Sequence, residues 1–366
     1  MATQGQVAMG KQEEGFAGLL LYCRAGFEGD LTAELTDRAA AAGLGGFARV
    51  QAGAGFVLFE PADGRVAALE SVLALEHLVF ARQVFPALPA LAGLDRSDRL
   101  TPIIGQVVAA GWQVESIWHE TPDTNDGKAL RRLIRALERP LAAVLKRQGV
   151  LRAAAHGQRL HVFWCAGDRV QLGLSRPGRR SEWPGGILHL RSPREAPSRS
   201  TLKLEEAWHT FIPREAWDER LAQGMQAVDL GAAPGGWTWQ LVRRGMYVHA
   251  VDNGPMDARL MATTQVEHHR EDAFTWEPPS PVRWLVCDIV DKPARVAARM
   301  ADWLEAGWCR EAIFNLKLPM KSRWQTVRQC LGHIEDRLQA AGIGYRLRAR
   351  QLYHDREEIT VHVVRD

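Results

Sequence analysis

The 366-residue chain has no hydrophobic run of the roughly 20 residues that a membrane-spanning helix needs. Its first residues lack the basic-then-apolar pattern of a secretory signal peptide. We therefore expect a cytoplasmic protein that does not act at a membrane. A hydrophobic content of 46% and a charged content of 24% are ordinary for globular proteins, and the length predicts two or three domains.

Cysteine is scarce, and metal-binding motifs are missing. The five cysteines are odd in number and widely spaced: Cys23, Cys165, Cys287, Cys309 and Cys330. They form no C-x-x-C pair and no disulfide framework, which predicts reduced core residues. The histidines show no H-E-x-x-H pattern, and the adjacent His268 and His269 would point to different sides of any regular element. We expect no bound metal.

The net charge of +3 indicates no charged partner by itself, but the charge is unevenly distributed. The segment from Lys128 to Lys203 holds 17 lysines and arginines against 4 acids, which leaves a net charge of −10 for the rest of the chain. Such segregation is typical of a site for a polyanion, although a solvated surface is the alternative. Arginine-rich segments with an aromatic residue such as Trp183 also suit stacking on unpaired RNA bases.

The most informative stretch is residues 227–237, where an apolar strand leads through a glycine-rich turn into a helical pattern. Gly231, Gly235 and Gly236 let the backbone approach a ligand closely. Their spacing is not G-x-G-x-x-G, and no Gly-Lys-Ser/Thr follows, which argues against a dinucleotide or an ATP phosphate. Pro234 would shape this turn, unless it only marks a plain strand-to-helix connection.

Two acidic residues follow the next two strand-like runs. Asp252 ends the run 247–251, about twenty residues after the turn, where a carboxylate can accept hydrogen bonds from a ribose diol. S-adenosylmethionine (SAM) carries such a diol and no phosphate. Asp272 follows a third, weak strand and could reach an adenine amine. The alternatives are a turn cap for Asp252 and a solvated loop acid for Asp272.

The string Asp-Leu-Gly-Ala-Ala-Pro-Gly-Gly-Trp at residues 229–237 resembles the SAM-binding turn of the FtsJ-like RNA ribose 2'-O-methyltransferases. That family uses a Lys-Asp-Lys-Glu tetrad, and the matching contexts here contain Lys203, Asp288, Lys317 and Glu358. The resemblance implies that these four residues are catalytic. The implied cofactor-binding residues are Ser200, Gly231, Ala233, Pro234, Gly235, Gly236, Trp237, Asp252, Asp272 and Asp288.

Strings at residues 21–28, 198–207 and 352–358 are similar to one branch of that family, the RlmM-type methyltransferases of bacterial large-subunit ribosomal RNA. The resemblance spans nearly the whole chain. One departure is Ala233, where some members have cysteine, but this position contributes backbone to the turn. The branch implies a cytidine of 23S rRNA as target, with the rRNA or its assembly intermediate as partner. We favour a monomer.

A ribose hydroxyl is a weak acid and a poor nucleophile, so methyl transfer to it needs a base and an aligned displacement. Lys317 is the candidate base. A free lysine has a pKa of about 10.4, so burial or a neighbouring cation such as Lys203 must lower it. Asp288 and Glu358 would orient both lysines and pull the pKa the other way. Alternatively, Lys203 is only a helical partner of Glu206.

Proline, glycine, serine and arginine concentrate at residues 184–200 and predict a domain boundary there. The part before it shows an α+β pattern. The part after it alternates strands and helices, which predicts a doubly wound, mostly parallel sheet. The resemblance implies a Rossmann-like class I methyltransferase domain at 200–366, preceded by a ferredoxin-like piece at 1–60, a THUMP-type RNA-binding module at 61–170 and a basic linker at 171–199.

Three functions remain open from the sequence. The first is SAM-dependent ribose 2'-O-methylation of large-subunit rRNA. The second keeps fold and cofactor but acts on tRNA or another structured RNA. The third is a non-catalytic RNA-binding or assembly factor of the same fold, and the intact tetrad argues against it.

Overall fold

The computed structural model describes residues 15–153 and 155–366, which form two compact units divided between Ile187 and Leu188. Each unit is built on its own sheet. Within the described residues, every helix is too short or too polar to cross a membrane. The domain limits expected at residues 60, 170 and 199 stay predictions.

The first unit contains a mainly antiparallel sheet, in which β6 and β7 form the parallel pair among the described strands. The strand order is β2-β3-β1-β4-β8-β7-β6, with β5 beside β8. The strands are β1 (Gly18–Tyr22), β2 (Gly46–Val50), β3 (Phe56–Pro61), β4 (Gln83–Ala87), β5 (Leu91–Ala92), β6 (Ser116–Glu120), β7 (Arg159–Ala166) and β8 (Arg169–Ser175). The helices are α1 (Glu28–Ala41), α2 (Val66–Val72), α3 (Leu100–Ala109), α4 (Asn125–Ala129) and α5 (Arg131–Arg147).

Helix α5 separates apolar from basic side chains. Ile134, Leu141 and Leu145 are buried in the core of this unit. Their spacing follows the 3.6-residue helical period, so one stripe of the helix packs inward and the rest faces water. The exposed basic residues are Arg131, Arg132, Arg135, Arg139, Lys146 and Arg147. The basic segment predicted from the sequence therefore includes a solvent-facing helix surface.

The second unit contains the doubly wound sheet predicted from the sequence. Its strand order is β11-β10-β9-β12-β13-β15-β14, parallel except where β15 pairs antiparallel with β13 and β14. The strands are β9 (Gln226–Leu230), β10 (Tyr247–Val251), β11 (Val266–His269), β12 (Val282–Cys287), β13 (Cys309–Lys317), β14 (Tyr345–Arg350) and β15 (Glu358–Arg365). The helices are α6 (Thr201–Phe211), α7 (Trp217–Arg220), α8 (Gly236–Arg243), α9 (Ala258–Met261), α10 (Pro293–Glu305) and α11 (Arg323–Ala340).

Different charged clusters lie at the two ends of the parallel strands, one at their carboxyl ends and one at their amino ends. The carboxyl ends of β9, β10, β12 and β13 meet at one edge, where ligands bind in open α/β sheets. Near the other edge, the fully buried Glu311 accepts hydrogen bonds from Arg220 at 3.0 Å and from Arg283 at 2.5 Å, and contacts His362 at 3.3 Å. Burial favours its neutral form, but the hydrogen bonds from His362 and Arg220 outweigh burial and lower the pKa of Glu311 to about 2.

This pKa predicts an acid-sensitive contribution to folding. A carboxylate with a depressed folded pKa stabilises the fold above its unfolded pKa, and the contribution is lost as pH falls from 4.5 to about 2. The shift corresponds to about 3 kcal/mol in the free energy of unfolding. Urea unfolding measures the free energy of unfolding at about pH 7 and about pH 3.5. Between these two pH values the wild type should lose more of this free energy than Glu311→Gln does. Equal losses would contradict the assignment.

Candidate active site

The four predicted catalytic residues lie together at the carboxyl edge of the second sheet. The ammonium of Lys203 lies 3.1 Å from Asp288 Oδ2 and 2.5 Å from Glu358 Oε1. Lys317 Nζ donates to Asp288 Oδ1 at 2.6 Å and also to Glu358. Each lysine therefore contacts both carboxylates, and the four side chains form a closed ring without net charge.

Four separate elements position this ring. Lys203 lies in the first turn of α6, and Asp288 directly follows β12. Lys317 ends β13 and Glu358 begins β15, and the antiparallel register places these two residues directly opposite each other. The side chain of Lys317 is 22% exposed, against 6% for that of Glu358. Part of the Lys317 side chain is therefore open to solvent, whereas Glu358 is nearly buried.

The carboxylates determine the charge state of Lys317. Burial lowers the pKa of this lysine, but the negative charges of Asp288 and Glu358 outweigh burial and raise it above its ordinary value. Lys317 is therefore protonated at neutral pH in the protein alone. The sequence leaves the direction of this shift open because the carboxylates and burial act in opposite senses.

A buried polar chain behind the ring was not identified from the sequence. Asn315 Nδ2 donates to Asp288 Oδ1 at 3.0 Å, and Asn315 Oδ1 accepts from Thr360 at 2.8 Å. Thr360 also lies 3.0 Å from Asp355, whose pKa is raised by burial and by the charge of Glu358. Strand alternation was the available signal, because Asn315 lies two residues before Lys317 and so shares its face of β13.

Glu206 anchors the segment that precedes Glu358. Its carboxylate accepts backbone hydrogen bonds from Tyr353 at 2.8 Å and His354 at 3.0 Å, and lies 2.6 Å from His354 Nδ1. Lys203 pairs instead with Asp288 and Glu358. The alternative of a simple Lys203–Glu206 helix pair is therefore wrong.

The glycine-rich turn brings backbone close to its neighbours, as a cradle for a small ligand requires. Gly231 has a φ of +75° and Gly235 a φ of +112°, which side-chain-bearing residues rarely adopt. A Cβ on Gly236 would lie 2.3 Å from the hydroxyl oxygens of Ser198 and Ser200. These two hydroxyls are 2.7 Å apart. The turn therefore packs its backbone directly against two serine hydroxyls, and its contact with the SAM methionine group stays a prediction.

Asp252 organises the same turn from the end of β10. Its Oδ2 accepts from the backbone amide of Ala233 at 3.0 Å, and its Oδ1 accepts from Gly254 at 2.7 Å. The peptide bond between Ala233 and Pro234 is cis. A carboxylate has about four lone-pair sites, so two hydrogen bonds leave acceptor capacity for a ribose diol. Asp252 therefore caps the turn, and its binding of a ribose diol stays a prediction.

Asp272 and Trp237 differ in how they are placed. Asp272 is exposed after β11, and its Oδ1 accepts from the backbone amide of Phe274 at 2.9 Å. Trp237 is only 2% exposed, and its Nε1 donates to the Ser200 carbonyl at 3.0 Å. Its ring therefore packs in the core and ties α8 to the start of α6. Direct cofactor contacts by these two residues stay predictions.

Removing the Asp252 carboxylate should weaken SAM binding, because both a ribose acceptor and the brace on Ala233 are lost. We expect Asp252→Ala to lower affinity by at least about tenfold, the loss of one charged hydrogen bond. Calorimetric titration with SAM measures this. Asp336→Ala, which removes an exposed carboxylate of α11, is the matched control. Equal affinity in both variants would contradict the ribose assignment.

Comparison with known proteins places this geometry in a family. Residues 16–85 match the RlmM ferredoxin-like domain, residues 98–176 the ribosomal RNA large subunit methyltransferase M N-terminal family, and residues 196–300 the FtsJ-like methyltransferase family. The chain is 61% identical over 346 residues to ribosomal RNA large subunit methyltransferase M of Chromohalobacter salexigens, covering 94% of this chain and 97% of that protein. It is 51% identical over 355 residues to the protein of the same name from Sodalis glossinidius, covering 95% and 96%. The chain therefore belongs to the ribosomal RNA large subunit methyltransferase M family.

Proposed function

We propose that the chain methylates the 2'-hydroxyl of a cytidine in 23S rRNA, with Lys317 as the base that removes the hydroxyl proton. Family membership carries the coarser activity: the chain is a SAM-dependent methyltransferase that acts on a ribose of 23S rRNA. The observation that supports the residue roles is the ring of Lys203, Asp288, Lys317 and Glu358. It lies at the sheet edge that also carries the glycine-rich turn.

SAM supplies a methyl group on a positively charged sulfur, which makes that methyl group an electrophile. The chain must align the ribose oxygen and accept its proton. The Lys317 side chain is the more exposed of the two lysines in the ring, at 22% against 15%, and its ammonium contacts two carboxylates. A positive charge placed beside Asp288 would offset that carboxylate and lower the pKa of Lys317 toward the neutral range.

Lys203 has a separate task in this mechanism. It contacts the same two carboxylates as Lys317. When Lys317 is neutral, Asp288 and Glu358 each keep one ammonium partner, so neither is left as an unpaired buried charge. We therefore assign Lys203 to stabilising the ring in its deprotonated form. Asn315 positions Asp288 from behind through the 3.0 Å hydrogen bond.

The basic surface of the first unit supports an RNA partner. The exposed lysines and arginines of α5 belong to the strongly basic segment of the sequence. Phosphate attraction by such a surface is independent of base sequence and falls with salt. We propose that the THUMP-type module at 61–170 holds 23S rRNA or its assembly intermediate, and that the reaction takes place in the cytoplasm.

Transfer of labelled methyl from SAM to protein-free 23S rRNA, isolated from a strain without this enzyme, tests the proposal. Nuclease digestion and mass spectrometry should show a single 2'-O-methylcytidine. Label in tRNA, or only in a pre-ribosomal particle, would show that this RNA or particle is the substrate in place of protein-free 23S rRNA. Label on a base or on another nucleoside would overturn the cytidine ribose assignment.

Lys317→Ala should lower the rate of this reaction by on the order of 10²–10⁴, the usual contribution of a general base. SAM binding should survive, because Lys317 is not among the residues assigned to the cofactor. Lys321→Ala, an exposed lysine four residues further on, is the control. Turnover of Lys317→Ala at the control's rate would remove Lys317 from the base role.

The raised pKa of Lys317 predicts a pH dependence with a defined sign. The base form becomes populated as pH rises, so kcat/KM should increase with pH over the neutral and alkaline range. Glu358→Gln removes one of the charges that raise this pKa, so the rising limb should move to lower pH. A limb that stays in place, or moves to higher pH, would contradict the coupling between Glu358 and Lys317.

A further inference from the structure

A second cluster of chemically active side chains lies away from the ring, at the edge strand of the same sheet. It contains His249 of β10 and Glu267 and His269 of β11. His249 and Glu267 are direct neighbours in the parallel register, and His269 follows Glu267 by two residues. Strand alternation therefore places all three side chains on one face of the sheet.

The candidate ligand atoms have the spacing of a metal coordination sphere. His249 Nδ1 lies 3.0 Å from His269 Nε2 and 3.3 Å from Glu267 Oε2, and His269 Nε2 lies 3.8 Å from Glu267 Oε1. Ligand atoms about 2.0–2.1 Å from a tetrahedral zinc ion lie about 3.3 Å apart. With one ligand atom from each residue, all three atoms lie within 4.8 Å of one another, so the exposed Glu267 side chain needs to turn toward the two imidazoles to complete the site.

The surroundings combine rigid packing with access for an ion. The side chains of His249 and His269 are 17% and 18% exposed, and that of Glu267 is 67% exposed. The Trp276 ring packs against His249 and His269 with centroid distances of 5.9 and 4.9 Å. The imidazoles are thus held in place, while the carboxylate and an added water can complete a sphere from the solvent side.

We propose that His249, Glu267 and His269 bind one divalent transition-metal ion, with zinc as the preferred ion. Two imidazoles and one carboxylate favour zinc over magnesium or calcium, which prefer oxygen ligands throughout. Three protein ligands leave the fourth position to water. Among the described residues, this is the group of histidines and acids whose ligand atoms converge in this way.

The ion has a structural task next to the cofactor turn. It links β11, which has a strand neighbour on one side only, to β10. The backbone amide of Asp252 donates to the His269 carbonyl at 3.1 Å, so the strand end that carries Asp252 is attached directly to one ligand residue. Metal binding therefore stabilises the edge of the sheet from which the predicted ribose acceptor projects.

Cobalt(II) titration of the full chain, without affinity tag and after chelator treatment, is the direct test. We expect one equivalent of Co²⁺ to give the visible d–d absorption of a four-coordinate site, and Zn²⁺ to displace it. The melting temperature should rise with Zn²⁺, because an ion that binds only the folded state stabilises it. Glu267→Gln, at the most exposed position, should weaken Co²⁺ binding while preserving the fold.

His249→Ala and His269→Ala should each weaken Co²⁺ binding by at least about 100-fold. Mutation of a residue that only hydrogen-bonds a metal ligand already lowers metal affinity by about 10–100-fold. His333→Ala, an exposed histidine of α11, should bind as the wild type does. Absence of a stoichiometric site in the wild type would overturn the proposal. Unchanged binding in the His249 and His269 variants, or a thiolate charge-transfer band, would assign the ion to other residues and overturn it equally.

Discussion

The structure of the active site depends on the mutual neutralisation of two lysines and two carboxylates. A single buried ion of this kind would carry a desolvation penalty of several kcal/mol, and removal of one partner from a buried pair is strongly destabilising. In the ring, each ammonium of Lys203 and Lys317 has two acceptors, and each carboxylate has two donors. The site therefore holds four charged groups at low solvent exposure without leaving any of them unpaired.

The sheet uses a similar cluster for a different purpose at its other edge. Glu311 is fully buried between arginines, and its low pKa keeps it ionised over the whole physiological range. The cations of the two clusters have similar side-chain exposure, 22% for Lys317 and 30% for Arg283. The residue types differ, because arginine stays protonated whereas a lysine can lose its proton and so take part in a reaction.

The sequence predicted the parts of this architecture that have a linear signature. Apolar periodicity located β9, β10, β12, β13, β14 and β15. The expectation of β11 depended on the resemblance, which also identified Lys203, Asp288, Lys317 and Glu358. Contacts between elements had no such signature. Asn315 and Glu206 act through partners on other strands or loops, and the two histidines near Trp276 meet Glu267 only because β10 and β11 pair in one register. A pattern search along the chain cannot see a cluster that strand pairing creates.

The ring also affects how the second unit becomes competent during folding. Lys203 and Asp288 are 85 residues apart in sequence, and Lys317 and Glu358 are 41 apart. Loop closure must precede contacts of such high sequence separation, so they form late and cooperatively. Glu358 lies on β15 and Lys317 on β13, so the ring is complete only when these two strands have paired. Formation of the ring is therefore coupled to completion of the whole sheet.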